Sequence, residues 1–281
     1  MNYCTHLPVS NITTVDRIIV LGDIHGDWAA LQRALRVGRV IDSDGKWIGA
    51  STHVVQVGDL LDRGGRSGAV RSDEGSERKI FRYLLALRRA AREYGGDVHL
   101  LLGNHELMNV SGDFRYVSPL GLIDYRGHRG RRAAFRPGGS EAKAMACHMN
   151  SVLQIGSWVF SHAGITPRIS KTYSLETVNN MVREYLLGNR EFEDGIRDMF
   201  WHRGYGTEAA CPAVSEALGQ WQAKNMAIGH TVQTGGITSI CSGGLWRVDV
   251  GMSGAFGADR KIEVLEILND GETVRVLREA N

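Results

Sequence analysis

The sequence lacks any apolar run approaching 18 residues, has four cysteines and little lysine, and carries almost no net charge. Without such a run, no transmembrane helix and no membrane partner are expected. The opening segment MNYCTHLPVSNITTVD has no charged stretch followed by an apolar one, so it does not read as a secretory signal. Cys4, Cys147, Cys211 and Cys241 are scattered, with no Cys-x-x-Cys pair. That spacing predicts no zinc ribbon and no dense disulfide framework, only small buried or half-buried apolar side chains in a reducing, cytoplasmic compartment. With 33 basic against 31 acidic residues the formal charge is +2, which argues against a nucleic-acid partner. Six of the 33 basic residues are Lys and the rest Arg, whose planar fork suits phosphate and carboxylate.

What is present suffices for a core. Hydrophobic residues make up 43% of 281, and neither a repeat nor a linker interrupts them, so one domain over 1–281 is expected. Apolar runs at 17–22, 53–58 and 97–103 read as buried strands. Between them, helical spacing predicts helices over 28–37, capped by Asp27, and over 77–94. This β-α-β-α-β order implies an α/β fold with a largely parallel first sheet. A further helix is expected at 175–187. Runs at 225–229, 236–241, 245–250, 262–268 and 273–277 suggest a second, mostly antiparallel sheet. The Arg-rich stretch 126–136 reads as a loop or mobile insertion that would steer an acidic substrate or simply be solvated.

The strand ends carry the chemistry. Three lead into Gly22-Asp23-Ile24-His25-Gly26, Gly58-Asp59-Leu60-Leu61-Asp62-Arg63-Gly64 and Gly103-Asn104-His105-Glu106. Open α/β sheets bind ligands beyond the carboxyl ends of their strands, so these loops should meet in one crevice. Asp, Asn and His are ligands for first-row divalent ions. Asp23 and His25 are spaced to aim at one ion, and Asp59 to bridge two. Further nitrogen ligands come from His162, after Val159-Phe160-Ser161, and His230, after Ala227-Ile228-Gly229.

These five sites resemble the phosphoprotein phosphatase family of calcineurin-like metallophosphoesterases, marked by GDxHG, GDxxDRG, GNHE and later HG-type and GH motifs. The first three are complete here; His162-Ala163-Gly164 departs slightly from HGG. Phe200-Trp201-His202-Arg203-Gly204-Tyr205 is similar to a segment of the Shewanella-like protein phosphatase branch, and Val248-Asp249-Val250-Gly251-Met252-Ser253 also fits it. The resemblance implies a β-sandwich of two mixed sheets flanked by helices. It also implies two divalent ions, Mn²⁺ first among Mn²⁺, Fe and Zn²⁺. Asp23, His25 and Asp59 would hold one ion, and Asp59, Asn104, His162 and His230 the other. His105 would be the general acid, paired with Asp62, and Arg63 and Arg203 would bind the substrate phosphate. The implied reaction is hydrolysis of phosphoprotein monoesters by a hydroxide bridging the ions. Glu106 is read as a supporting residue.

Two other readings compete. Symmetrical diadenosine tetraphosphatases are related, but typically have Ala in place of the second motif's Asp and Asp in place of the third motif's Glu; Asp62 and Glu106 favour the phosphatase. An inactive scaffold would normally have lost a ligand or the acid, and none is missing.

Overall fold

The computed structural model describes residues 4–66, 73–257 and 261–279. Short β-branched runs form its strands, and amphipathic runs the helices that cover them. In chain order the first elements are β1 (Asn11–Ile12), β2 (Arg17–Leu21), α1 (Trp28–Val37), β3 (His53–Gln56), α2 (Glu77–Arg92) and β4 (Asp97–Leu101). Then come α3 (Asn104–Ser111), α4 (Pro119–Ile123), α5 (His128–Phe135), α6 (Ser140–His148), β5 (Met149–Asn150), β6 (Val152–Ile155) and β7 (Trp158–Ser161). The remainder is α7 (Pro167–Thr172), α8 (Leu175–Leu187), α9 (Asp198–Trp201), α10 (Cys211–Gln220), β8 (Asn225–Ile228), β9 (Thr238–Ile240), β10 (Leu245–Arg247), β11 (Glu263–Leu268) and β12 (Thr273–Arg278).

The strands form two mixed six-stranded sheets flanked by helices, ordered β12-β11-β2-β3-β4-β5 and β1-β6-β7-β8-β10-β9. In the first, β2, β3, β4 and β5 run parallel, the expected βαβαβ core. Asp27 starts α1 as predicted, its carboxylate accepting from the Ala30 amide at 2.8 Å. Apolar residues of both sheets pack into one buried cluster with α1 and α2. None of the described helices is long and apolar enough to cross a membrane.

Three expectations need correction. The last third does not make its own antiparallel sheet. β8 pairs parallel with β7 and with β10, whereas β11 pairs antiparallel with β2. Lying between β2 and β12, β11 has five of its six residues buried, and its Val264, Leu265 and Ile267 join the core cluster. The Arg-rich stretch is not a loop: α5 occupies most of it and turns Arg131 and Phe135 inward. The cysteines are half-buried, as expected, but they are not free. Cys4 pairs with Cys147 and Cys211 with Cys241, each with Cα atoms 5.2 Å apart although 143 and 30 residues separate them in the chain. Spacing along a chain holds no record of such approaches, which the tertiary fold creates.

Candidate active site

The parallel strands of both sheets end at one cleft of about 1170 Å³, lined among others by Asp23, Asp59, Asn104, His105, His230 and Asp249. Backbone hydrogen bonds lock its loops. The Ile24 and His25 amides both donate to Asp59 O, at 3.0 and 2.9 Å. Glu106, expected as support, joins the second and third loops. Its carboxylate accepts from the amides of Gly103 and Asp59 on one oxygen and of Leu60 and Leu61 on the other, at 2.7–3.1 Å. Burial, and then the nearby Asp59 charge, push this carboxyl up to about 7.

Glycine is required where the loops touch. A Cβ on Gly103 would lie 2.1 Å from Asp59 Oδ1. Gly58, at φ +102°, sits against Gly103 and the His162 ring. Four expected site residues also have positive φ: His25 at 45°, Asp59 at 56°, Asp62 at 74° and His230 at 67°. Such conformations cost about 1–3 kcal/mol each and persist where surrounding contacts over-determine them, as these loop bonds do.

The imidazoles are aimed by their outer nitrogens. His25 Nδ1 donates to Leu61 O at 3.0 Å and His162 Nδ1 to Val57 O at 2.9 Å. In the neutral rings, each Nε2 lone pair then faces oxygen. His25 Nε2 lies 3.9 Å from Asp23 Oδ2 and 3.8 Å from Asp59 Oδ2. His162 Nε2 lies 3.3 Å from Asp59 Oδ2 and 2.9 Å from Asn104 Oδ1, which also meets His230 Nδ1 at 2.9 Å. At the neutral His25 and His162 rings, lone pairs therefore meet oxygen with no proton between them, an arrangement a cation relieves. Without one, relief comes from protonating His162, whose pKa Asp59 raises against the opposing effect of burial. Burial, Asp249 and Asp59 likewise hold the Asp23 pKa well above its usual range. Ligand atoms of Asp59, His162 and His230 lie within 4.8 Å of one another, as do those of His25, Asp59 and His105. This O/N set fits Mn²⁺, Fe or Zn²⁺.

His105 has a second network behind it. Its Nδ1 donates to Asp62 Oδ2 at 2.7 Å. Asp62 Oδ1 accepts from Asn109 Nδ2 at 2.8 Å, and Asn109 Oδ1 accepts from Arg131 Nε at 2.7 Å. Glu77 takes the Asp62 amide on one oxygen and Arg131 on the other, each at 2.8 Å. Burial opposes protonation of His105, but the Asp59 and Asp62 carboxylates outweigh it and raise the imidazole pKa.

The two expected phosphate-binding arginines separate. Arg203 is exposed, lines the cleft and donates to His230 O at 3.2 Å. Arg63 is 2% exposed and does not line that cleft. Its guanidinium turns away to Asp27 Oδ2, at 2.8 Å, and to the Ser253 hydroxyl. The alternative of an Asp62–Arg63 pair is not seen either, because Asp62 faces His105, Asn109 and Arg131. Arg66 lies in the cleft instead. It stacks 4.9 Å from the ring centres of both Tyr116 and Phe256 and donates to His105 Nε2 at 3.1 Å.

Sequence reasoning passed over Arg66, Arg131 and Asp249 as site residues. Asp249 follows β10 as the other acidic residues follow their strands, so the same signal was available. For Arg131 there was none, since nothing local tells a buried Arg from its exposed neighbours. Trp201 lines the cleft, whereas His53 and His99 pair with each other, Nδ1 to Nε2 at 3.0 Å.

The family model for calcineurin-like phosphoesterases matches residues 16–234, which include all five strand-end motifs. Shewanella-like protein phosphatase 2 of Arabidopsis thaliana is 33% identical over 91% of this chain and 76% of its own length. Shewanella-like protein phosphatase 1 of Plasmodium berghei is 29% identical over 86% of this chain and 69% of its own. A solved cold-active protein tyrosine phosphatase superposes with a TM-score of 0.76 at 24% identity, covering 98% of this chain and 83% of that one. By the span of the matched motifs and the extent of the shared sequence, the chain belongs to the calcineurin-like phosphoesterase family.

Proposed function

We propose that this chain is a single catalytic domain that hydrolyses phosphomonoesters on proteins, as the names of its relatives suggest. The observation that carries this reading is the acceptor-only face at Asp59, where His162 Nε2 meets Asp59 Oδ2 at 3.3 Å and Asn104 Oδ1 at 2.9 Å. Asp23, His25 and Asp59 would hold one divalent ion. Asp59, Asn104, His162 and His230 would hold a second, with Asp249 close by Asp23. Mn²⁺ is the first expectation, Fe and Zn²⁺ the alternatives. Bound there, the ions would supply a nucleophile from water at neutral pH and offset charge on the phosphoryl oxygens.

The chain's own groups do the rest. His105, steadied by Asp62, holds a proton at Nε2 for the departing alkoxide or phenoxide. Arg66 donates to that same Nε2 at 3.1 Å, so the proton can reside there only once Arg66 turns to another acceptor. A substrate phosphate is such an acceptor, which would couple substrate arrival to arming of the acid. Arg203, on the loop that follows α9, grips the phosphate with a planar fork. Arg63 is left a structural role, tying the second loop to Asp27 and Ser253. The two disulfides favour an oxidising compartment over the cytoplasmic one expected from cysteine spacing.

Turnover of p-nitrophenyl phosphate tests the reading. Activity should require Mn²⁺, Fe or Zn²⁺, and no turnover with any of them would sink it. A phosphopeptide panel beside diadenosine tetraphosphate then separates substrate classes; faster cleavage of the dinucleotide would favour the nucleotide hydrolase.

A further inference from the structure

A second recess adjoins the cleft. It measures about 350 Å³ and is lined by Gly112, Phe114, Arg115, His128, Arg129 and Arg132. The segment 111–115 forms the ridge between the two. Ser111 and Asp113 face the cleft, Gly112 and Phe114 face the recess, and Arg115 lines both. Phe114 forms an apolar wall, with its ring centre 6.0 Å from the Arg132 guanidinium and 6.1 Å from the His128 ring.

The charge lining the recess has little structural return: Arg132 donates to Gly112 O at 3.5 Å, and Arg129 has no hydrogen bond among the described residues. Between Asp124 and Glu141 the chain has no acidic residue, yet it carries Arg126, Arg129, Arg131, Arg132 and Arg136. Arg129 and Arg132 stand three apart on one helix, an arrangement that repels. Among the described residues neither has a carboxylate within ion-pair distance, while Asp113 is occupied by Arg115 at 2.8 Å. A solvated helix face ordinarily mixes signs, and this one does not.

We propose that this recess binds an acidic side chain of the substrate, close in sequence to the phosphorylated residue held in the cleft. The proposal rests on the phosphatase reading above and adds the class of protein substrate. The peptide crosses the ridge at Arg115. The scissile phosphate lies on one side of it, and a Glu, Asp or second phosphorylated residue meets Arg129 and Arg132 on the other. At about 350 Å³ the recess has room for one or two side chains.

The test compares phosphoserine and phosphotyrosine peptides with three Glu N-terminal to the phosphorylated residue, three Glu C-terminal to it, or Gln in both places. One Glu series should have kcat/KM roughly fivefold or more above the Gln series, mostly through KM, and the advantage should shrink as salt rises. In R129Q/R132Q that advantage should vanish, with p-nitrophenyl phosphate kinetics unchanged. The single R129Q variant, which removes no hydrogen bond or ion pair seen among the described residues, should lose part of it. Equal kcat/KM for all three peptides, or an advantage undiminished in the double variant, would overturn the recess while p-nitrophenyl phosphate turnover left the phosphatase reading standing. Absence of that turnover with every metal would defeat both.

Discussion

Arg131 Nη1 lies 2.8 Å from Glu77 Oε2, and both side chains are closed to solvent. The pair stands directly behind the proposed acid, because Glu77 also accepts the Asp62 amide and Arg131 reaches Asp62 through Asn109. One helix, α5, thus turns Arg131 toward the network behind the proposed acid, and Arg129 and Arg132 toward the recess.

Arg131→Met should leave Glu77 buried without its cation. Removing one partner of a buried pair costs about 3–5 kcal/mol, whereas E77Q/R131M removes both charges and should recover part of that. Urea unfolding measures it. A loss under about 1 kcal/mol for the single variant would show that Glu77 readily takes a proton instead.

His105→Asn should retain metal and lose rate in proportion to how much the leaving group needs a proton. General-acid loss is worth about 10²–10⁴-fold for a phosphoserine alkoxide and less for p-nitrophenolate. Equal losses for both substrates would move the proton donor elsewhere. A fall in bound metal would instead identify His105 as a ligand, a role compatible with its place beside His25 and Asp59.

His99 gives stability a pH dependence away from the cleft. Burial holds its pKa down to about 3, against about 6.5 in the unfolded chain. Between those values the unfolded state binds the extra proton, so the native state loses stability as pH falls below about 6.5. The slope is at most about 1.4 kcal/mol per pH unit. Denaturation of wild type and His99→Gln from pH 7 to 5 should show the difference between them shifting against wild type at the acid end. Parallel curves would mean that the native imidazole takes up a proton as readily as the unfolded one.

Reduction should destabilise the protein. Closing loops of 143 and 30 residues restricts the unfolded chain, and each closure is worth about 3–5 kcal/mol on the entropic account. Thiol titration in denaturant should find no free thiol before reduction and four after it, and Tm should fall on reduction. Four free thiols at the outset would mean that these pairs do not form.

The sequence by itself determined strands β2, β3 and β4 with helices α1 and α2 between them, the strand-end positions of Asp23, Asp59, Asn104, His105, His162 and His230, and the family they indicate. These features are short-range: β-branched runs, helical spacing, and glycines with Asp or His at the turn that follows. Only the tertiary structure decided what depends on distant partners. Asp62 and Arg63 are neighbours in the chain, yet Asp62, at φ +74°, meets His105, whereas Arg63 turns to Asp27 and Ser253. β11 kept its sequence neighbour β12 on one side and took β2, far earlier in the chain, on the other, which places both strands in the first sheet rather than in a sheet of their own. Cys4 met Cys147, and Arg131 found Glu77, because packing brought together residues that no local pattern links. Burial strongly favours pairing such charges, and which partner is within reach is a property of the folded chain alone.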